Sequence, residues 1–172
     1  MADQGENFRL NDDVVFRGRP MRVTGRMQLE GSSGQLTFRY LLSDPAGAPV
    51  LLEEGAGRFA LLRPFPPAAK FKTLNDTVIV GTAKYTLVGV RKLKLIDVGG
   101  NIQNAPKTQL IVSGMFEGLM GTLMRELVPG TSTQVYYLLK ALAEGDVVSA
   151  EKYAAGKDAA ADAAATRALD GD

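Results

Sequence analysis

The chain contains no cysteine, no histidine and no tryptophan among its 172 residues. Without cysteine there is no disulfide framework and no thiolate metal site, and without histidine the commonest general base and the commonest zinc ligand are both missing. Nucleophilic enzymes of the Ser-His-Asp or Cys-His type are excluded. A surplus of one charge is lacking too: 20 Lys and Arg stand against 19 Asp and Glu, so no overall field draws the chain toward nucleic acid or an anionic membrane. No apolar run reaches the roughly 18 residues that a membrane helix needs. The opening Met1-Ala2-Asp3-Gln4-Gly5-Glu6 lacks the basic-then-apolar order of an export signal. These absences lead to the expectation of a cytoplasmic, non-enzymatic protein with no cofactor and no metal.

What is present begins with a short stretch that occurs twice. Leu10-Asn11-Asp12-Asp13-Val14-Val15-Phe16 is followed much later by Leu74-Asn75-Asp76-Thr77-Val78-Ile79-Val80. Continued without a gap, the alignment pairs Met21 with Tyr85, Val23 with Leu87, Thr24 with Val88 and Gly25 with Gly89. Each copy reads as an Asn-Asp turn, a β-branched run, a tight turn (Arg17-Gly18-Arg19-Pro20 or Gly81-Thr82-Ala83-Lys84) and a second run ending at glycine. The pattern predicts one β-hairpin used twice.

The rest of the first half also reads as strand. Met21, Val23, Gly25, Met27 and Leu29 alternate with Arg22, Thr24, Arg26 and Gln28, a period of two with one face buried. After the Gly31-Ser32-Ser33-Gly34 loop, Leu36, Phe38, Tyr40 and Leu42 repeat that period. Asp44-Pro45-Ala46-Gly47 has the residue order of a type I turn. Val50 to Leu52 and Arg58 to Leu62 then form short strands around a Glu53–Gly57 loop. Pro64-Phe65-Pro66-Pro67 marks a boundary, because three prolines in four residues continue neither a ladder nor a helix. Beyond it, Thr77 to Val80, Tyr85 to Val98 and Thr108 to Val112 are strand-like.

The period then changes. Phe116, Leu119, Met120, Leu123, Met124 and Leu127 fall at helical spacing, although Gly118 and Gly121 weaken it. Thr131 and Gln134 have the spacing of a capping box ahead of Val135, Leu138, Leu139 and Leu142, and Gly145 suits a helix end. Two C-terminal helices are expected, then an alanine-rich tail with no apolar stripe. The fold class that follows is α+β and mainly β, with two tandem antiparallel β units sharing a core. The expected segments are a flexible 1–7, a first unit 8–64, a second unit with helices 65–156, and a disordered or transiently helical 157–172.

Three functional readings follow. Met115, Phe116, Met120 and Met124 would be a partner-binding surface, since methionine suits adaptable protein interfaces as well as irregular cores. Arg17, Arg19, Arg22 and Arg26 would suit a small barrel that binds nucleic acid if they converged beside exposed aromatics. A small-molecule or lipid site would need a pocket with convergent polar groups. Asp12, Asp13 and Asp76 read as turn residues rather than catalytic carboxylates.

Tyr40-Leu41-Leu42-Ser43-Asp44-Pro45-Ala46-Gly47, Leu51-Leu52-Glu53-Glu54-Gly55 and Gly57-Arg58-Phe59-Ala60-Leu61-Leu62-Arg63-Pro64 resemble an uncharacterised bacterial family of small β-barrel-like domains. Such domains often occur in tandem or near membrane-stress and ion-channel-like proteins. The characteristic tryptophans of that family are absent, with Phe38 or Phe59 in their place. The resemblance implies a β-rich duplicated fold and a non-enzymatic role; it supplies no catalytic residue. The whole chain reads as a binding or assembly module with a protein partner or self-association.

Overall fold

The computed structural model describes residues 7–66, 68–102, 109–132 and 134–169. Within them the chain forms twelve strands and one helix. The first six strands are β1 (Asp13–Phe16), β2 (Arg19–Gly31), β3 (Leu36–Ser43), β4 (Val50–Gly55), β5 (Arg58–Pro64) and β6 (Phe71–Leu74). The second six are β7 (Thr77–Val80), β8 (Ala83–Gly100), β9 (Leu110–Gly118), β10 (Gly121–Leu127), β11 (Gln134–Ala141) and β12 (Val147–Ser149). Helix α1 (Ala150–Leu169) follows, with nearly every described side chain exposed. It is not long and apolar enough to cross a membrane.

Every strand pairing is antiparallel, and eight strands close into a barrel in the order β2-β3-β4-β5-β11-β10-β9-β8, sealed by β2 against β8. Closure reduces the free edges that an open sheet would expose. Outside this ring, β1 and β12 extend the N-terminal half of β2, and β6 and β7 extend the N-terminal half of β8.

The two extensions are built alike. An offset of 64 carries the β1–β2 pairing, Asp13↔Arg22 through Phe16↔Arg19, onto Thr77↔Thr86 through Val80↔Ala83. The same offset carries the bulge between Val23 and Gly25 onto the bulge between Leu87 and Gly89. It also carries the Val23 amide bonding the Asp12 carbonyl onto Leu87 bonding Asp76. Asn11 and Asn75 both take left-handed backbone (φ 70 and 51), which asparagine tolerates because its side chain bonds locally. Their turns therefore launch both hairpins with one geometry.

Side chains alternate across each strand, so the sheet buries two faces. Tyr40, Leu42, Leu52 and Leu61 face away from the barrel axis into a flanking core roofed by Val14, Phe8 and Val147. Phe116 and Leu123 do the same in the other half, under Val78, Phe71 and Val80. Leu29, Leu93, Leu95 and Ile111 fill part of the barrel interior.

Two helices expected from sequence are strands. Residues 115–127 form the β9–β10 hairpin, with Gly121 at φ 116 completing its turn. Phe116 and Leu123 point into the flanking core while Met124 points into the barrel. A hairpin apolar on both faces mimics helical spacing. The helix expected after the Thr131–Gln134 spacing is β11: Tyr136 and Leu138 pack outward, and Leu139 pairs with Leu62 on β5. Thr131 does not cap a helix; its hydroxyl and amide both bond the Val128 carbonyl in a turn. The expected Glu53–Gly57 loop is also shorter, because Glu53, Glu54 and Gly55 belong to β4. Thr108, the first residue of the strand expected from Thr108 to Val112, lies outside the described residues.

Candidate functional site

The barrel interior holds charge as well as hydrocarbon. Arg39 on β3 donates from Nε to Glu53 Oε2 on β4 at 3.0 Å, and its two terminal nitrogens grip the Glu126 carboxylate on β10, Nη2 to Oε2 at 2.6 Å. Strands β4, β5 and β11 separate β3 from β10, so this pair crosses the barrel. Arg91 on β8 reaches Glu53 Oε1 at 2.8 Å and touches Ser113 and Met124. Two cations and two carboxylates thus neutralise one another in a site where an unpaired charge would be costly.

Burial alone would push the Glu53 carboxyl up, but the Arg39 and Arg91 guanidinium groups outweigh it and hold it below the usual carboxylate range. Burial likewise disfavours the Arg39 charge, and Glu126 followed by Glu53 more than offsets that. Tyr137 is pushed up, by burial and then by Glu126.

Beside this network the barrel wall is incomplete. The β8 residues pair with β7 from Ala83 to Thr86 and with β2 from Leu93 to Gly100. Leu87 still donates to Asp76. From Val88 to Lys92, β9 is the one strand that pairs with β8 among the described residues. Val88 and Val90 are accordingly 59% and 56% exposed. The missing neighbour would be a continuation of β2, which stops at Gly31 because Ser32, Ser33 and Gly34 turn the chain back into β3.

A slot of about 480 Å³ opens there, between β8, the β2–β3 turn and the β4–β5 turn. Glu53, Arg58, Ala60, Arg91 and Lys92 are among its lining residues. Arg91 Nε is buried with no hydrogen-bond partner among the described residues.

The matching part of the other half is filled. Residues 97–100 of β8 pair with Gly25 to Gln28, and the Asn101 amide bonds the Thr24 carbonyl at 2.8 Å. A Cβ added at Gly25 would sit 2.6 Å from Ile102 Cγ1, whereas one at Gly89 would meet nothing within 4 Å. Equivalent glycines therefore report a covered edge and an open one.

The methionine set is split by the hairpin. Phe116 and Met124 are fully buried, Met115 is half-buried, and Met120, beside Leu119 in the β9–β10 turn, is 75% exposed. The four arginines are each engaged separately. Arg17 pairs with Asp146, Arg19 with Asp44 at 2.6 Å and Arg22 with Asp13 at 2.9 Å. Arg26 bonds the Phe8 carbonyl and Asn7 Oδ1 and lies over the Phe38 ring. Among the described residues, no group of three or more acidic side chains is placed to hold a metal ion.

Sequence reasoning missed the slot. Its signal was the difference between Gly31-Ser32-Ser33-Gly34 and the strand-forming Leu95-Ile96-Asp97-Val98 at the same offset. Comparison of the chain with protein-family models, curated proteins and solved structures finds no match.

Proposed function

We propose that the protein is a non-enzymatic binding module that captures an extended segment of a partner protein along the open edge of β8. We further read its two halves as copies of one six-strand unit in which β6 and β12 each pack against the opposite copy. The repeated hairpin register, bulge and Asn turn support that second reading.

The single observation that carries the function is the unpaired edge from Val88 to Lys92, which opens into the slot beside the β2–β8 seal. An exposed strand edge presents backbone donors and acceptors that an added strand satisfies, which is the physical basis of β-augmentation. A slot of about 480 Å³ lies within the range of ligand pockets. What favours a peptide over a small molecule is the backbone edge, for which a small molecule has no need. No comparable feature favours nucleic acid, since each arginine of the first hairpin already has a neighbour of its own.

The test is selection of binders from a random heptapeptide display library, followed by amide hydrogen exchange on the complex. New protection within Val88–Lys92, with Gly25–Gln28 unchanged, is the expected result. Selected peptides that protect some other surface, or a library that yields no binder above background, would overturn the reading.

A further inference from the structure

The slot carries unneutralised positive charge. Inside it, Arg39 and Arg91 are balanced by Glu53 and Glu126. At its rim, the exposed Arg58 and Lys92 have no ion-pair partner among the described residues, and both line the opening. Glu53, the carboxylate lining the slot, already receives Arg39 and Arg91. Arg58 stands on β5 beside the β4–β5 turn and Lys92 on β8, so the two cations flank the slot from different strands.

From this we propose that the slot selects partner segments bearing an Asp or Glu side chain, attracted by Arg58 and Lys92 at its rim while the backbone pairs with β8. The proposal rests on the strand-capture reading and deepens it. Backbone pairing alone is indifferent to sequence, and charge complementarity then supplies the choice among extended segments. Val90, exposed on the same face of β8 as Lys92, offers an apolar neighbour two residues away. The favoured segment therefore alternates an acidic residue with an apolar one.

Heptapeptides selected on the wild-type protein are resynthesised with their acidic residue as Glu, Gln or Lys, and affinities are measured by fluorescence anisotropy on wild type and on Arg58→Gln/Lys92→Gln. Both positions are exposed, so the double variant should fold. The Glu peptide should bind about tenfold tighter than its Gln form, a difference of about 1.4 kcal/mol. That margin should vanish in the double variant and shrink with added salt. Equal affinities of the Glu and Gln forms, with exchange protection still at Val88–Lys92, would overturn the acidic preference and leave strand capture standing. Loss of that protection would overturn strand capture itself. A wild-type dimer by light scattering that the double variant converts to monomer would place a second copy in the slot and overturn the partner-protein proposal.

Discussion

The two halves of the chain share a hairpin, a bulge and an Asn-launched turn at a constant offset, and they differ in what happens next. After its bulge, β2 runs to Gly31 and turns, whereas β8 runs on to Gly100. The longer strand covers the edge of the shorter one, and among the described residues no strand returns the cover. The end of β8 closes on β2 so tightly that a Cβ at Gly100, at φ 72, would clash with the Thr24 carbonyl. Four turn-forming residues thus stand where the other half has four strand-forming ones, and the slot opens beside them. On this account the first half is scaffold and the second half carries the binding edge.

The largest expected effect comes from cutting the link between the halves. Arg39 belongs to the first and Glu126 to the second, so Arg39→Met leaves Glu126 buried without its partner and Glu53 with Arg91 alone. Urea unfolding should show a loss of about 3–5 kcal/mol. A loss below about 1 kcal/mol would mean that the halves do not depend on this pair.

The glycine comparison is sharper and smaller. Gly25→Ala should cost about 1–3 kcal/mol, because the new methyl group meets Ile102. Gly89→Ala, at the equivalent position in open space, should be neutral or stabilise by about 0.5–1 kcal/mol, as expected when glycine leaves a strand. Equal costs at the two sites would break the distinction between covered and open edges.

Acid should act through Glu53, which ties Arg39 of the first half to Arg91 of the second. Its carboxyl is held below its ordinary value of 4.5, so its stabilising contribution is complete above that value and is lost as pH falls through the lower folded-state value. Melting temperature should therefore be level from neutral pH to about 4.5 and decline below it, and Glu53→Gln should flatten that decline. An identical acid limb in the variant would remove Glu53 from the account.

The smallest effect is expected from the tail. Truncation after Gly156 removes an exposed part of α1, which meets the rest of the chain at β1 and β12 near its start. The melting temperature should stay within about two degrees. A drop of ten degrees would show that the helix packs on the barrel.

Much of this was legible in the sequence. The paired Asn-Asp turns and the alternation from Met21 to Leu29 gave both hairpins and the ends of β1, β2 and β3 to within two residues, but the expected single buried face of β2 is split by its bulge: Met21 and Val23 enter the flanking core, Met27 and Leu29 the barrel interior. The start of β9 reads as strand, but its end, β10 and β11 were illegible because both of their faces are covered: Leu123 and Met124 are adjacent and fully buried on opposite sides. The ion network was hidden for a related reason. Glu53 and Glu54 look like loop residues, since carboxylates are seldom buried, and Arg39 sits between Phe38 and Tyr40 with nothing to show that β10 will supply Glu126. The slot was the least visible feature, because the Gly31–Gly34 turn reads as an ordinary hairpin loop until the pairing of β8 with β2 is known.

The most direct test of the open edge is residue-resolved amide hydrogen exchange on the free wild-type protein, comparing Gly25–Gln28 of β2 with Gly89–Lys92 of β8. Protection throughout the first stretch is the expected result. In the second, the alternate amides that point away from β9 should exchange at nearly the rate of unstructured chain. Equal protection of the two stretches would mean that β8 is already covered, and would contradict both the asymmetry and the function built on it.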